Sequence, residues 1–329
     1  MILLRKIFWY ITLATAGLFL LLVAIGFQVD QDTTLTPGVA GRHVLVDGLK
    51  LRALESGTGP KSVILLHGML GSADDWETVI PLLEGRYRVI AIDRPGQGFS
   101  DAPHEDNTLA VNARLVRELM TVLDLKDVVV VGHSYGGSVA LQLASDAPPA
   151  LRGLVLVTPG AYPGFPTGVV ERLITAPLVG RGLTRVLIPL IGDERIRNDL
   201  TEIVAPDGAI MPKDFFAKRQ VLWKRPGPLR AYAEHSLAYG TDLERLSQSY
   251  PKLKEPVVIL QGDADSFQSL RVTSARLAQE IPGATLRTFP ATGHYLQYRH
   301  PQAVAEAVDQ LHGMTIKNPR NHRGAVGPR

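Results

Sequence analysis

Apolar positions along the chain fall into three patterns, and each predicts a different kind of element. The first is one unbroken run, Ile7 to Phe27 (IFWYITLATAGLFLLLVAIGF), twenty-one residues without a charge. At about 1.5 Å per helical residue it spans the roughly 30 Å hydrocarbon layer of a bilayer. The second is a series of short stretches rich in Val, Ile and Leu, expected as strands at Val44–Val46, Lys50–Glu55, Ser62–Leu66, Tyr87–Ile92, Asp127–Val131, Gly153–Val157, Pro256–Leu260 and Thr285–Phe289. Several are almost continuously apolar, as strands are when helices cover both faces of a sheet. The third is helical spacing between those strands, at Leu109–Leu123, Tyr135–Ala144, Leu270–Gln279 and Pro301–Leu311. In the last, Val304, Ala307, Val308 and Leu311 recur on one face, and Pro301 opens the helix where its missing N–H costs nothing. Strand and helix in alternation predict an α/β fold with a mostly parallel sheet and helices on both faces. About 98 residues of mainly helical character between Val157 and Pro256 break the alternation and form an insertion.

The flanks of the first run give it a direction. Arg5 and Lys6 precede it, Asp30 and Asp32 follow it, and Trp9 and Tyr10 suit an interface. The positive-inside rule then places the N-terminus in the cytoplasm and exports the rest, to a periplasmic or extracellular site. A retained transmembrane anchor is the reading adopted. Its rival is a signal peptide cut near the small residues Ala24 and Gly26, which would leave a secreted protein. The expected organisation is an anchor or signal at 1–30, a linker at 31–42, a core in two parts at 43–159 and 255–315, the helical insertion at 160–254, and a disordered tail at 316–329.

Composition sharpens this. Apolar residues are 45% and charged residues 20% of 329, which is ordinary for a globular core. There is no cysteine, so disulfides, thiolate metal sites and a catalytic thiol are excluded. The formal net charge is +3, but Arg5, Lys6, Lys317, Arg320, Arg323 and Arg329 lie in the two ends. The body between them is slightly acidic and carries no nucleic-acid footprint. No motif demands a metal or an organic cofactor, since Asp263 and Asp265 alone fall far short of a calcium loop.

The sharpest chemical signal is Gly132-His133-Ser134-Tyr135-Gly136, directly after the strand VVVV and directly before a helical pattern. A G-x-S-x-G turn in that context lifts a serine hydroxyl above a sheet at a helix N-terminus. A serine is a poor nucleophile until a base takes its proton, and the base needs an acid to orient it. His294, after a glycine and just beyond the last expected strand, is the candidate base. Asp263 and Asp265, in the loop after VVILQ, are the candidate acids. His300 and His312 are expected on the surface of the final helix.

These residues carry a resemblance to the α/β-hydrolase fold superfamily, in the branch with a helical cap after the sixth core strand. It covers roughly residues 42–313 and includes His67-Gly68-Met69-Leu70-Gly71, Asp93 to Ser100 (DRPGQGFS), the Ser134 turn, Gly262 to Asp265 and Gly293-His294. It implies that Ser134, Asp265 and His294 form the triad, with Asp265 preferred because the family's acid falls three residues after the strand-end glycine. Asp263 is then a turn-shaping residue. It further implies an oxyanion hole from the backbone N–H groups of Met69 and Tyr135, a bracing role for His67, and a structural Gly/Pro turn at Asp93–Ser100. Some relatives carry the acid one strand earlier, but that position lies near Thr158, which cannot serve. A serine nucleophile argues against the dehalogenase and epoxide hydrolase branches, which use aspartate there. The implied activity is cleavage of a carboxylic ester or related acyl bond in a fairly apolar small molecule. Carbon–carbon hydrolysis of a ring-cleavage product is the alternative, and a weakly catalytic binding protein is the alternative of a different class. From Thr167 to Ile191 the insertion is strongly apolar, with Arg172, Arg181 and Arg185 its only basic residues, and is expected to pack on the core and line an acyl pocket rather than lie on a bilayer.

Overall fold

The computed structural model describes residues 2–27, 39–164, 167–177, 179–187 and 193–313. Most of the expected linker, the tail from 316, and residues 188–191 of the apolar insertion lie outside the described residues.

Eight strands form one sheet: β1 (Arg42–Val46), β2 (Leu49–Ser56), β3 (Ser62–Leu66), β4 (Arg88–Ile92), β5 (Val128–His133), β6 (Leu151–Val157), β7 (Val257–Gly262) and β8 (Thr285–Phe289). Their spatial order is β1-β2-β4-β3-β5-β6-β7-β8. The β1–β2 and β2–β4 pairs are antiparallel, and all others are parallel. This is the α/β-hydrolase architecture, and each expected strand matches an observed one with ends shifted by at most a few residues.

The near-continuous apolar runs sort themselves by strand alternation into two cores. Ile64, Leu66, Val128, Val130, Leu154 and Leu156 face one side, against α3 (Leu109–Val122) and α4 (Tyr135–Ser145). Val63, Leu65, Val129, Val131, Val155 and Val157 face the other, against Trp76, α2 (Ile80–Leu83) and α12 (Pro301–Gly313). A strand buried on both faces needs no polar position, which is why the sequence showed runs and not alternation. Two helices open as their sequences require. The Thr108 hydroxyl accepts from the Val111 N–H at the start of α3, and Pro301 opens α12.

Strand connections run to one side from β3 to β4 and to the other from β5 to β6. The crevice at the carboxyl ends of β3 and β5 is therefore a topological switch point, where α/β sheets place their ligands. His67 to Leu70 leave β3 there, and Ser134 leaves β5 there.

Among the described residues, five α-helices lie between β6 and β7: α5 (Val169–Thr175), α6 (Gly180–Leu187), α7 (Asp193–Ile203), α8 (Phe215–Trp223) and α9 (Pro226–Ser247). Phe215 and Leu222 are buried, and Phe215 joins a small core with Val204, Met211, Tyr295 and Tyr298. The outer face of α5 departs from expectation. Val169, Val170 and Leu173 are 71%, 55% and 47% exposed instead of packed on the core. After β7 come α10 (Arg276–Glu280), then α11 (Leu296–Arg299) beyond β8. The helix expected at Leu270–Gln279 opens as a wider π-type turn, Leu270–Ala275, before becoming α10.

The N-terminal apolar run is helix α1 (Ile2–Phe27). Its segment Arg5–Ala24 is long and apolar enough to cross a membrane, with mean hydropathy 2.2. Near its end it meets α6, where Gly182 lies against the Leu22 backbone so closely that any side chain there would collide with it.

Candidate active site

Ser134 ends the β5 strand in a left-handed conformation, φ 52° and ψ −119°. A non-glycine residue there is strained, and the surrounding turn must hold it. Glycines make that possible by close approach. A side chain on Gly132 would strike the Gly136 backbone, and one on Gly136 would strike the Leu66 carbonyl of β3. Ser134 N–H donates to Val157 O (3.0 Å), tying the turn to β6. Tyr135 is the first residue of α4, so its N–H has no intrahelical acceptor and is free by geometry to meet an anion.

The other two residues come from separate loops and meet. His294 Nδ1 donates to Asp265 Oδ2 at 2.9 Å, with both groups buried. Asp265 Oδ1 accepts from the N–H groups of Phe267 (2.8 Å) and Gln268 (3.0 Å), and Gln261 Nε2 donates to Oδ2 at 3.2 Å. Burial alone would raise this carboxyl. The His294 ring and the two backbone N–H groups outweigh burial and hold it below the usual carboxylate range. Asp263 instead accepts from Ala291 N–H (2.7 Å) and shapes the turn.

His294 is also fixed by its backbone. His133 Nε2 donates to His294 O (3.0 Å), and the Thr158 hydroxyl donates to the same oxygen (2.9 Å). Thr158, at a position that cannot supply an acid, instead holds His294 by its carbonyl, a role the sequence does not signal. His133 was only the variable residue of the serine turn. No spacing rule marks either, because the contact joins strand ends from distant parts of the chain. Asp207, in the insertion, accepts from Gly293 N–H (2.7 Å) and from Arg299 (2.7 Å), so an inserted residue braces the His294 loop. Phe267 flanks the His294 ring at 5.5 Å and is partly exposed, an apolar surface at the site.

The loop after β3 faces Ser134 directly. A Cβ placed on Gly68 would lie 3.2 Å from Ser134 Cβ, so Gly68 and Met69 border Ser134. His67 braces this loop, accepting from Arg94 N–H at Nε2 (2.9 Å) and donating from Nδ1 to Gly68 O (2.7 Å). Burial, then the charge of Arg94, push its pKa well below the ordinary value and favour the neutral ring, whose one lone pair is taken by the Arg94 N–H. Leu70, at φ 52°, is clamped by the insertion: Arg219 Nη1 (2.7 Å) and Trp223 Nε1 (3.2 Å) both donate to its carbonyl. Arg219 also pairs with buried Asp75, whose carboxyl burial pushes up to about 6 despite that partner. Asp93 to Ser100 is the expected self-satisfying turn, with Asp93 accepting from Ala73 N–H, Phe99 N–H and Arg52.

His300 bonds Thr292 away from the pair. His312 corrects an expectation, being buried and stacked on Tyr87 at 4.7 Å and not at the surface. The last turn of α12 closes over Tyr87, at the edge of the core that holds Trp76 and Leu83.

A serine on a strained strand-to-helix turn, with a buried Asp–His pair on the next loops of the same sheet, decides the relationship, and comparison with known proteins agrees. Residues 63–307 match the alpha/beta hydrolase family. The chain belongs to the α/β-hydrolase family. Relatives of this α/β-hydrolase carry diverse names. The magnesium-chelatase 30 kDa subunit of Rhodobacter capsulatus is 30% identical over 268 residues, covering 79% of this chain and 88% of that one. The 2-hydroxy-6-oxononadienedioate/2-hydroxy-6-oxononatrienedioate hydrolase of Cupriavidus pinatubonensis is 26% identical, covering 82% and 94%. Among solved structures, an esterase from Exiguobacterium antarcticum superposes with a TM-score of 0.67 at 21% identity, covering 84% and 100%. That last likeness speaks for the fold alone.

Proposed function

We propose that this α/β-hydrolase is a serine hydrolase that cleaves a carboxylic ester or related acyl bond of a fairly apolar substrate through an acyl-enzyme. The observation that carries the reading is the buried 2.9 Å Asp265–His294 bond beside the strained Ser134 turn. That bond leaves Nε2 of His294 as the ring nitrogen available to a substrate-side proton. In the proposed course Nε2 takes the proton of Ser134 Oγ as that oxygen attacks the carbonyl carbon. Asp265 steadies the imidazolium, and the N–H groups of Met69 and Tyr135 receive the oxyanion. The leaving alcohol departs with the proton from Nε2. Water then adds by the reverse route, giving the acid and restoring Ser134. The inserted helices act as the cap, supplying Arg219, Trp223 and Asp207 to the loops below. Helix α1 anchors the enzyme in a membrane, with the catalytic body outside the cytoplasm.

Carbon–carbon hydrolysis of a ring-cleavage product is the second reading, supported by the Cupriavidus pinatubonensis relative that matches most of both chains. A comparison of kcat/KM on p-nitrophenyl esters of varied chain length and on a 2-hydroxy-6-oxodienoate separates the two. Turnover of the esters with preference for the longer acyl chains supports the first. Turnover of the dienoate alone would overturn it in favour of the second. No turnover of either, with saturable binding, would point to a binding protein.

A further inference from the structure

Among the described residues three arginines are almost wholly buried, and one is unlike the others. Arg52 is paired with Asp74 and Asp93, and Arg219 with Asp75. Arg94 has only neutral partners. Nε donates to His67 O (2.8 Å), Nη2 to Gly68 O (2.9 Å) and Nη1 to Asn112 Oδ1 (3.3 Å), and its guanidinium lies 4.5 Å from the Tyr135 ring centroid. Among the described residues no carboxylate makes an ion pair with it. Burial lowers its pKa to about 10, so it remains a cation at neutral pH. Its nearest counter-charge, Asp75, acts only through space and is already paired with Arg219; a buried cation with no carboxylate of its own is costly, and such costs persist in folds mainly at functional sites.

The two residues it grips form the loop beside the nucleophile. Gly68 O accepts from Arg94 Nη2, from His67 Nδ1 (2.7 Å) and from Gly71 N–H (3.3 Å). The His67 tautomer is fixed by the same residue, because Arg94 N–H occupies Nε2 and leaves the proton on Nδ1. The carbonyl of Gly68 and the N–H of Met69 belong to one planar trans peptide, so they point in opposite directions. Three donors drawing the carbonyl toward Arg94 therefore aim the Met69 N–H away from it. A trio of donors, one of them charged, also polarises the peptide and strengthens its N–H as a donor.

We infer that Arg94 is the positioning residue of the oxyanion hole, orienting the Gly68–Met69 peptide and supplying the fixed positive charge whose partner is the transient oxyanion. The inference rests on the acyl-enzyme reading above. The charge works from behind the peptide and never touches substrate. It is preorganised, so nothing must rearrange as negative charge develops.

The test compares Arg94→Met and Arg94→Lys with the wild-type full chain in detergent, using p-nitrophenyl butyrate, a trifluoromethyl ketone of matching chain length, and the corresponding secondary alcohol. The ketone forms a tetrahedral oxyanion on serine, whereas the alcohol binds without one. For Arg94→Met the expected result is a fall in kcat of about a hundredfold, comparable to loss of one oxyanion donor. KM and alcohol affinity should stay within about threefold, while the ketone weakens by the same factor as kcat/KM. Arg94→Lys, which keeps the charge and loses the fork, should fall between. If Arg94→Met does not fold, Arg94→Lys decides on the same readouts. Wild-type kcat and ketone affinity in a folded variant would overturn the inference. So would equal weakening of ketone and alcohol together with a lowered Tm, the mark of a merely structural residue. Ser134→Ala run in parallel separates the two failures. If it is inactive while the Arg94 variants match wild type, only the role of Arg94 falls. If it retains turnover, the acyl-enzyme reading falls with it.

Discussion

His67, His133 and His235 are fully buried, and each has its pKa pushed well below the ordinary histidine value, first by burial and then by neighbouring positive or polarised groups. In the unfolded chain the same rings titrate near the ordinary value of about 6.5. Below that value the unfolded state binds protons that the folded state refuses, so their contribution is complete above about pH 6.5 and is lost on acidification. Each such ring adds to the loss of stability on the acid side, in the same direction. Urea denaturation at pH 7 and pH 5 should show a large drop in midpoint, and His235→Phe, which keeps a ring against Tyr135, should shrink it. Single residues were unevenly legible. Ser134 stood out because its glycines are a steric requirement of the turn, and His294 because it followed the last strand. His133, Thr158 and Asp207 were invisible, since their work is to hold the backbone around His294 from places the sequence does not connect to it.

Elements were easier to see where one physical rule acted alone. Strands buried on both faces wrote themselves as Val/Ile/Leu runs, and all eight were found. The opening of the Leu270–Gln279 helix was misread because a wider turn keeps nearly the same apolar spacing as an α-turn. The inserted helices gave little away. Apart from the 22-residue α9 they are short, and their apolar residues are divided between packing on neighbours and facing outward. Their most consequential contact, Arg219 of α8 on Leu70 O and Asp75, pairs single residues across the fold. Removing one member of a buried ion pair leaves the other charge stranded. Arg219→Met should therefore destabilise the protein by about 3–5 kcal/mol. Asp75→Leu combined with Arg219→Met should recover much of that loss in thermal melts, because the stranded carboxyl is gone. Additive losses in the double variant would contradict this picture of the clamp.

At the scale of the whole molecule, the absence of cysteine makes the membrane reading easy to probe. Gly182 of α6 sits against Leu22, two residues before the end of the Arg5–Ala24 segment, and hence about 3 Å along the helix from it. An anchored α1 would bring α6 and the exposed apolar face of α5 to the bilayer surface. Fluorophore-labelled Leu13→Cys should be quenched in vesicles carrying lipid-borne spin labels deep in the acyl region. Val170→Cys should be quenched by labels near the headgroup, and Val122→Cys on α3 by neither. An unquenched Leu13→Cys label would remove the anchor from the account, though not the chemistry. That chemistry is tested most directly by the intact mass of the full chain after brief treatment with a fluorophosphonate. The expected result is one adduct per chain, mapped to Ser134, absent in Ser134→Ala and formed much more slowly in His294→Ala and Asp265→Asn. Wild-type protein that stays unmodified, or Ser134→Ala that takes up the label as fast, would contradict the claim that Ser134 is the nucleophile of this hydrolase.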